Sequence, residues 1–132
     1  MDKKKIFIIE DEAAILYALE AQLCSAGYAV DKLEGAPTIN SVLDKIKLSA
    51  ADYIILDLVL PQVDGFELLK AIKADEETTN TSVFVFTNFS DADTKTRCGN
   101  LGAEYYFIKS EYNIEQFVDK FRRITDNLNE KT

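Results

Sequence analysis

The sequence contains no histidine. That removes imidazole metal ligands, imidazole general bases and any phosphohistidine step within the chain. Cysteine is scarce: Cys24 and Cys98 lie far apart and match no CxxC spacing, so two reduced, partly buried thiols are expected. No stretch approaches the roughly 18 consecutive apolar residues of a membrane span. The basic start is not followed by a signal-like apolar segment with a cleavage site. Positive charge is also in deficit, with 15 Lys and Arg against 23 Asp and Glu and a net charge of −8. Nucleic-acid backbones are held by Lys and Arg, so direct nucleic-acid binding is not expected. Lys3-Lys4-Lys5, the one basic run, reads as the solvated entrance of a strand. Together these absences predict a cytoplasmic protein without membrane or nucleic-acid partners.

What is present fits a single domain over residues 1–132, with 47% hydrophobic and 29% charged residues. Four short apolar runs stand out: Ile6–Ile9, Tyr53–Leu56, Val83–Phe86 and Tyr105–Ile108. Near-continuous apolar strands are expected where helices cover both faces of a parallel sheet. A fifth, weaker strand is predicted at Ala29–Lys32, its poorer hydrophobicity suiting a sheet edge. Helices are predicted over about Ala13–Ala26, stopped by Gly27, over about Thr38–Leu48 after Pro37, after Gly65, and from about Asn113 onward. Strands alternating with helices of this length give an α/β fold, a (βα)5 doubly wound parallel sheet.

A further helix, Ser90–Asn100, is different. Ser90 and Asp93 have capping-box spacing, but the segment offers little apolar surface beyond Ala92 and Cys98 and contains Gly99. Glycine costs about 1 kcal/mol against alanine inside a helix. The helix is either an ordinary exposed one or an element that shifts cheaply.

Each strong strand ends on a residue able to do chemistry: Glu10-Asp11, Asp57, Thr87 and Lys109. Parallel strands present their C-terminal ends along one edge, where open α/β sheets bind ligands. Three carboxylates clustered there would repel one another and raise their pKa values. A divalent cation relieves that repulsion, and Mg²⁺ takes oxygen ligands of this kind. It also neutralises a phosphoryl group enough for an anionic carboxylate to approach. Asp57 is the candidate nucleophile, Lys109 a fixed positive charge and Thr87 a hydrogen-bond donor. Pro61-Gln62-Val63-Asp64-Gly65 reads as a turn, with Gly65 supplying permissive φ.

The motifs Ile8-Ile9-Glu10-Asp11-Glu12, Leu56-Asp57 through Asp64-Gly65, Phe86-Thr87-Asn88 and Phe107-Ile108-Lys109, in that order, carry a specific resemblance. Over essentially its whole length the chain is similar to the receiver domain of two-component response regulators. The resemblance implies the flavodoxin-like strand order 2-1-3-4-5. It implies Mg²⁺ held by Asp11, Asp57 and the main-chain carbonyl of Val59, with Glu10 helping through water. Asp57 would accept phosphate from a sensor histidine kinase or phosphotransfer protein, and Thr87 and Lys109 would bind it. Thr87 and Tyr106 match the family's switch pair. The implied output is a downstream protein or homodimer contact through the Ser90–Asn100 helix and the C-terminal helix face. The chain departs from the family at Ser110, where proline is common, and at Asn88, where alanine is usual. Both departures bear on loop geometry.

Other functions are weighed against this. A haloacid-dehalogenase-type phosphatase also uses a nucleophilic Asp but needs an acid two residues later, where this chain has Val59. No Ser/Thr-Gly-rich loop follows the first strand to bind a flavin phosphate. A protein-binding adaptor that never sees phosphate would have no need of the full set of Glu10, Asp11, Asp57, Thr87 and Lys109. The expectation is therefore a phosphoacceptor rather than a turnover enzyme. Val59 and Phe89, two residues after Asp57 and Thr87, are apolar and cannot activate water, so self-dephosphorylation is expected to be slow. The alternative for both is simple packing against the flanking loops.

Overall fold

The computed structural model describes residues 3–130. Five strands, β1 (Lys5–Glu10), β2 (Ala29–Glu34), β3 (Tyr53–Leu56), β4 (Ser82–Thr87) and β5 (Tyr105–Ile108), form one parallel sheet. Its order is β2-β1-β3-β4-β5, as the resemblance implied. The helices are α1 (Ala13–Ser25), α2 (Ile39–Ser49), α3 (Gly65–Ala74), α4 (Ala92–Asn100) and α5 (Ile114–Glu130). A single 3₁₀ turn, Lys109–Glu111, follows β5. No such turn was expected from sequence. The described residues contain no cis peptide bond, so Ser110 follows Lys109 in the trans form.

Alternation along each strand divides the core in two. Ile6, Ile8, Tyr53, Ile55, Phe84, Phe86 and Phe107 face α1 and α5. Phe7, Ile9, Ile54, Leu56, Val83 and Val85 face α2, α3 and α4. The first face is built largely of interlocked rings: Phe86 stacks on Phe117 at 4.1 Å, and Phe84 meets Tyr105 at 4.4 Å and Phe121 at 4.5 Å. The second is mostly aliphatic. β2 lies at the sheet edge with no fully buried residue, as its weak hydrophobicity predicted.

Apart from α1, whose start has no side-chain cap, the helix starts follow ordinary capping chemistry. Thr38 caps α2 by accepting the Ser41 N–H, so it precedes the helix rather than opening it. Asn113 and Gln116 cap α5 reciprocally: the Asn113 side chain accepts the Gln116 N–H at 2.7 Å, and the Gln116 side chain accepts the Asn113 N–H at 2.9 Å. The Ser90–Asp93 capping box does not form. Asp91 is the cap, accepting the Thr94 N–H at 2.9 Å, and the helix begins at Ala92 instead of Ser90. Its carboxylate also accepts the Thr94 hydroxyl, whereas the residue three on from Ser90 is Asp93, which has no hydroxyl to donate.

Two glycines separate conformation from space. Gly27, at φ +99°, ends α1 in a geometry that side chains resist. Gly65 has no positive φ, contrary to expectation. It is needed because a Cβ there would stand only 2.3 Å from the Leu58 carbonyl oxygen. α3 thus begins hard against the segment that carries Asp57. The two cysteines are free, but Cys24 is exposed and only Cys98 is buried.

Candidate phosphoryl-acceptor site

Strand register brings the chemical residues together. Ile9 pairs with Leu56, so Glu10 and Asp57 leave adjacent strands side by side. The Asp57 N–H reaches back to the Ile9 carbonyl at 3.0 Å and fixes that juncture. Thr87 pairs with Ile108, which delivers Lys109 to the same edge.

Lys109 is the hub. Its side chain is only 6% exposed, and its ammonium lies 2.7 Å from Glu10 Oε1 and 2.9 Å from Asp57 Oδ2. Glu12 stands further off at 3.8 Å. The other Glu10 oxygen accepts the Glu12 N–H, and Asp57 Oδ1 accepts the Val59 N–H at 3.1 Å. Each buried carboxylate is therefore held at both oxygens. Glu12 was not singled out in the sequence, although it directly continues the acidic pair.

The electrostatics follow from counting charges. Burial opposes the charge on Lys109, but hydrogen bonds to Glu10 and Asp57 outweigh it and raise its pKa above the ordinary lysine value. Glu10 is pushed up to about 7, first by burial and then by the neighbouring Asp57 charge, with Lys109 acting against both. The two shifts express one fact. A single cation serves two buried carboxylates, so the lysine keeps its proton while Glu10 is driven toward taking one.

Thr87 is fully buried, and its Oγ1 has no hydrogen-bond partner among the described residues. Buried hydroxyls are normally satisfied, so this one is a donor without an acceptor at the end of β4. Asp11 is exposed, with Oδ1 3.6 Å from where a Cβ on Gly35 would sit. Among the described residues, no three His, Cys, Asp or Glu side chains already surround a common point. Glu10 and Asp57 both turn to Lys109 instead. The donor set of carboxylates and one main-chain carbonyl nevertheless matches a small hard cation in kind.

Val59 is 51% exposed at the rim. Phe89, 39% exposed, stacks on Phe66 of α3 with ring centroids 6.4 Å apart and planes 18° apart. For Phe89, packing against a flanking element is thus what occurs. Tyr106 donates its hydroxyl to the Phe89 carbonyl at 2.7 Å, and burial, followed by the charges of Cys98 and Asp91, pushes its pKa up to about 12. Arg97 in turn lies over the Phe66 ring, 3.9 Å from its centroid, and neither residue was legible as part of the site.

Residues 6–122 match the family described as the response regulator receiver domain. The chain is 32% identical over 120 residues to response regulator ArlR of Staphylococcus haemolyticus, covering 90% of this chain and 51% of that protein. It is 32% identical over 121 residues to ArlR of Staphylococcus aureus, covering 91% and 52%. It thus spans about half the length of these relatives. In fold it is similar to a CheY-like receiver domain protein of Methanospirillum hungatei, with TM-score 0.83, 24% identity and coverage of 99% and 100%. It is likewise similar to the chemotaxis response regulator CheY4 of Vibrio cholerae, with TM-score 0.81, 24% identity and coverage of 93% and 99%.

Proposed function

The chain belongs to the response regulator receiver family, and from that premise we propose that residues 1–132 form one receiver domain whose Asp57 accepts a phosphoryl group. One observation carries this reading: a buried aspartate bonded to a buried lysine, and at the end of the adjoining strand β4 a buried threonine hydroxyl with no partner among the described residues. A phosphoryl group on Asp57 would give that hydroxyl an acceptor and the lysine a stronger counter-ion.

Asp57 attacks phosphorus through one carboxylate oxygen. The new O–P bond forms as the donor's bond to phosphorus breaks, and the leaving group keeps that electron pair. Lys109 turns from the carboxylate to a phosphoryl oxygen, and Thr87 donates to another. Asp11, Asp57 and the Val59 carbonyl would hold Mg²⁺, with Glu10 contributing through water. Once bound, the ion would offset the charge of the phosphoryl oxygens and of the crowded carboxylates.

The reading makes the donor a sensor histidine kinase or phosphotransfer protein and places the protein in the cytoplasm. No described helix is long and apolar enough to cross a membrane. The phosphoryl group adds about −1.5 to −2 charge at one point, and Thr87 moving toward it would draw the start of α4 along. The surface of α4, β5 and α5 would then change its affinity for a downstream protein or a second copy, as a population shift between two packings. Nothing in the reading calls for direct nucleic-acid contact or for turnover beyond slow loss of the phosphoryl group.

The test is intact mass after incubation with acetyl phosphate and Mg²⁺. Wild type should gain one phosphoryl group and Asp57→Asn none. Equal labelling of the two proteins would sink the assignment.

A further inference from the structure

α4 is held by something other than its apolar pattern. Its one buried side chain is Cys98, and a nine-residue helix is too short to be stable alone. The exposed Arg97 supplies an anchor: its guanidinium carbon lies 3.9 Å from the centroid of the Phe66 ring on α3. Phe66 in turn stacks on Phe89 in the connection between β4 and α4. The Phe89 carbonyl receives the Tyr106 hydroxyl from β5. The contacts therefore run unbroken from Arg97 to Tyr106, two residues that share no hydrogen bond or ring contact of their own.

We propose that Arg97 is a positioning residue. By gripping Phe66 it steadies the Phe66–Phe89 stack, and so fixes the carbonyl that receives Tyr106. The relative strengths of the contacts support this order. A cation 3.9 Å from a ring centroid is well inside the roughly 6 Å reach of cation–π attraction. The ring pair, at 6.4 Å, lies toward the far end of useful aromatic contact. The weaker link is thus the one that the arginine braces. Phe89 follows Thr87 by two residues, so a movement of Thr87 that carries the chain with it must slide Phe89 along Phe66 or break the Tyr106 bond. Arg97 would set the resistance to that movement. Lysine would serve less well, because its compact ammonium lacks the flat face that stacks on a ring.

The clasp exists without phosphate, so its test needs none, and failure of the phosphoacceptor reading would leave it standing. Arg97→Gln, Arg97→Lys and Phe66→Leu are compared with wild type by ¹³C-tyrosine ring NMR and amide hydrogen exchange. In Arg97→Gln the Tyr106 ring resonances should shift toward solvent-exposed values. The amides of residues 88–91 should exchange about two- to five-fold faster, the loss expected for one exposed cation–π contact. Phe66→Leu should do at least as much, and Arg97→Lys should recover part of the wild-type signal, with exchange in β1 and β3 unchanged throughout. Wild-type Tyr106 signals and wild-type loop exchange in Arg97→Gln would overturn the proposal. So would a uniform rise in exchange across the sheet, because the arginine would then be acting on the whole fold.

Discussion

Lys109 lies closer to Glu10, at 2.7 Å, than to Asp57, at 2.9 Å. The residue expected to help hold Mg²⁺ through water is thus also a direct partner of the site's lysine. Its carboxylate is drawn inside with a charge that the surroundings disfavour.

A pH dependence follows. The folded Glu10 titrates near 7, above its ordinary value of 4.5. Between those values the folded chain binds more protons at this group than the unfolded chain does. Its contribution is therefore most favourable below about pH 4.5 and is lost as pH rises through 7. Urea midpoints measured without divalent cations should fall more steeply from pH 5 to 7.5 in wild type than in Glu10→Gln. Parallel profiles would contradict the shift.

Gly65→Ala should be costly although it adds a single methyl group. The Cβ would meet the Leu58 carbonyl oxygen at 2.3 Å, and backbone cannot rotate aside. Overpacking of this kind typically costs about 1–3 kcal/mol. The expected result is a lowered urea midpoint together with weaker Asp57 labelling, because Leu58 adjoins the acceptor. A midpoint equal to wild type would mean that α3 can back away freely.

Thr87→Val should separate stability from switching. The Thr87 hydroxyl is buried without a partner among the described residues, so replacing it by a methyl of similar shape should be neutral or mildly stabilising. The variant should still take up phosphoryl from acetyl phosphate. Its NMR spectrum with beryllofluoride and Mg²⁺ should nonetheless stay close to the unactivated one around residues 88–100. A full wild-type response would show that coupling to α4 bypasses the hydroxyl.

The lifetime of phospho-Asp57 is expected to be long, and Val59 is the position to probe. It is half exposed at the rim and offers no group to orient water. General acid–base assistance is worth roughly 10²-fold or more, so Val59→Glu should accelerate the decay of the mass-labelled species. Decay of the wild-type phosphoprotein within seconds, or no response at position 59, would place control of water elsewhere.

The strand ends were legible because apolar runs and chemical residues alternate in sequence in the order the sheet uses them. Tyr53–Leu56 and Tyr105–Ile108 have the expected bounds. Local competition was harder to read. Ser90 and Asp91 can both cap a helix, and the choice depends on Thr94 offering both its N–H and its hydroxyl to Asp91. Gly65 was read as supplying permissive φ, but what it supplies is room, and that depends on where Leu58 lies. The link from Arg97 through Phe66 to Phe89 crosses three elements, and no periodicity announces it.

The division of rings between the two faces of the sheet has a mechanical consequence. Behind the sheet, α5 is seated on aromatic side chains locked edge to face and ring on ring, a backing that deforms little. In front, α4 rests on one sulfur and one arginine-capped ring. A push delivered at the end of β4 meets a stiff wall on one side and a compliant one on the other. The domain would yield forward, and the direction of its response is set by where its rings are.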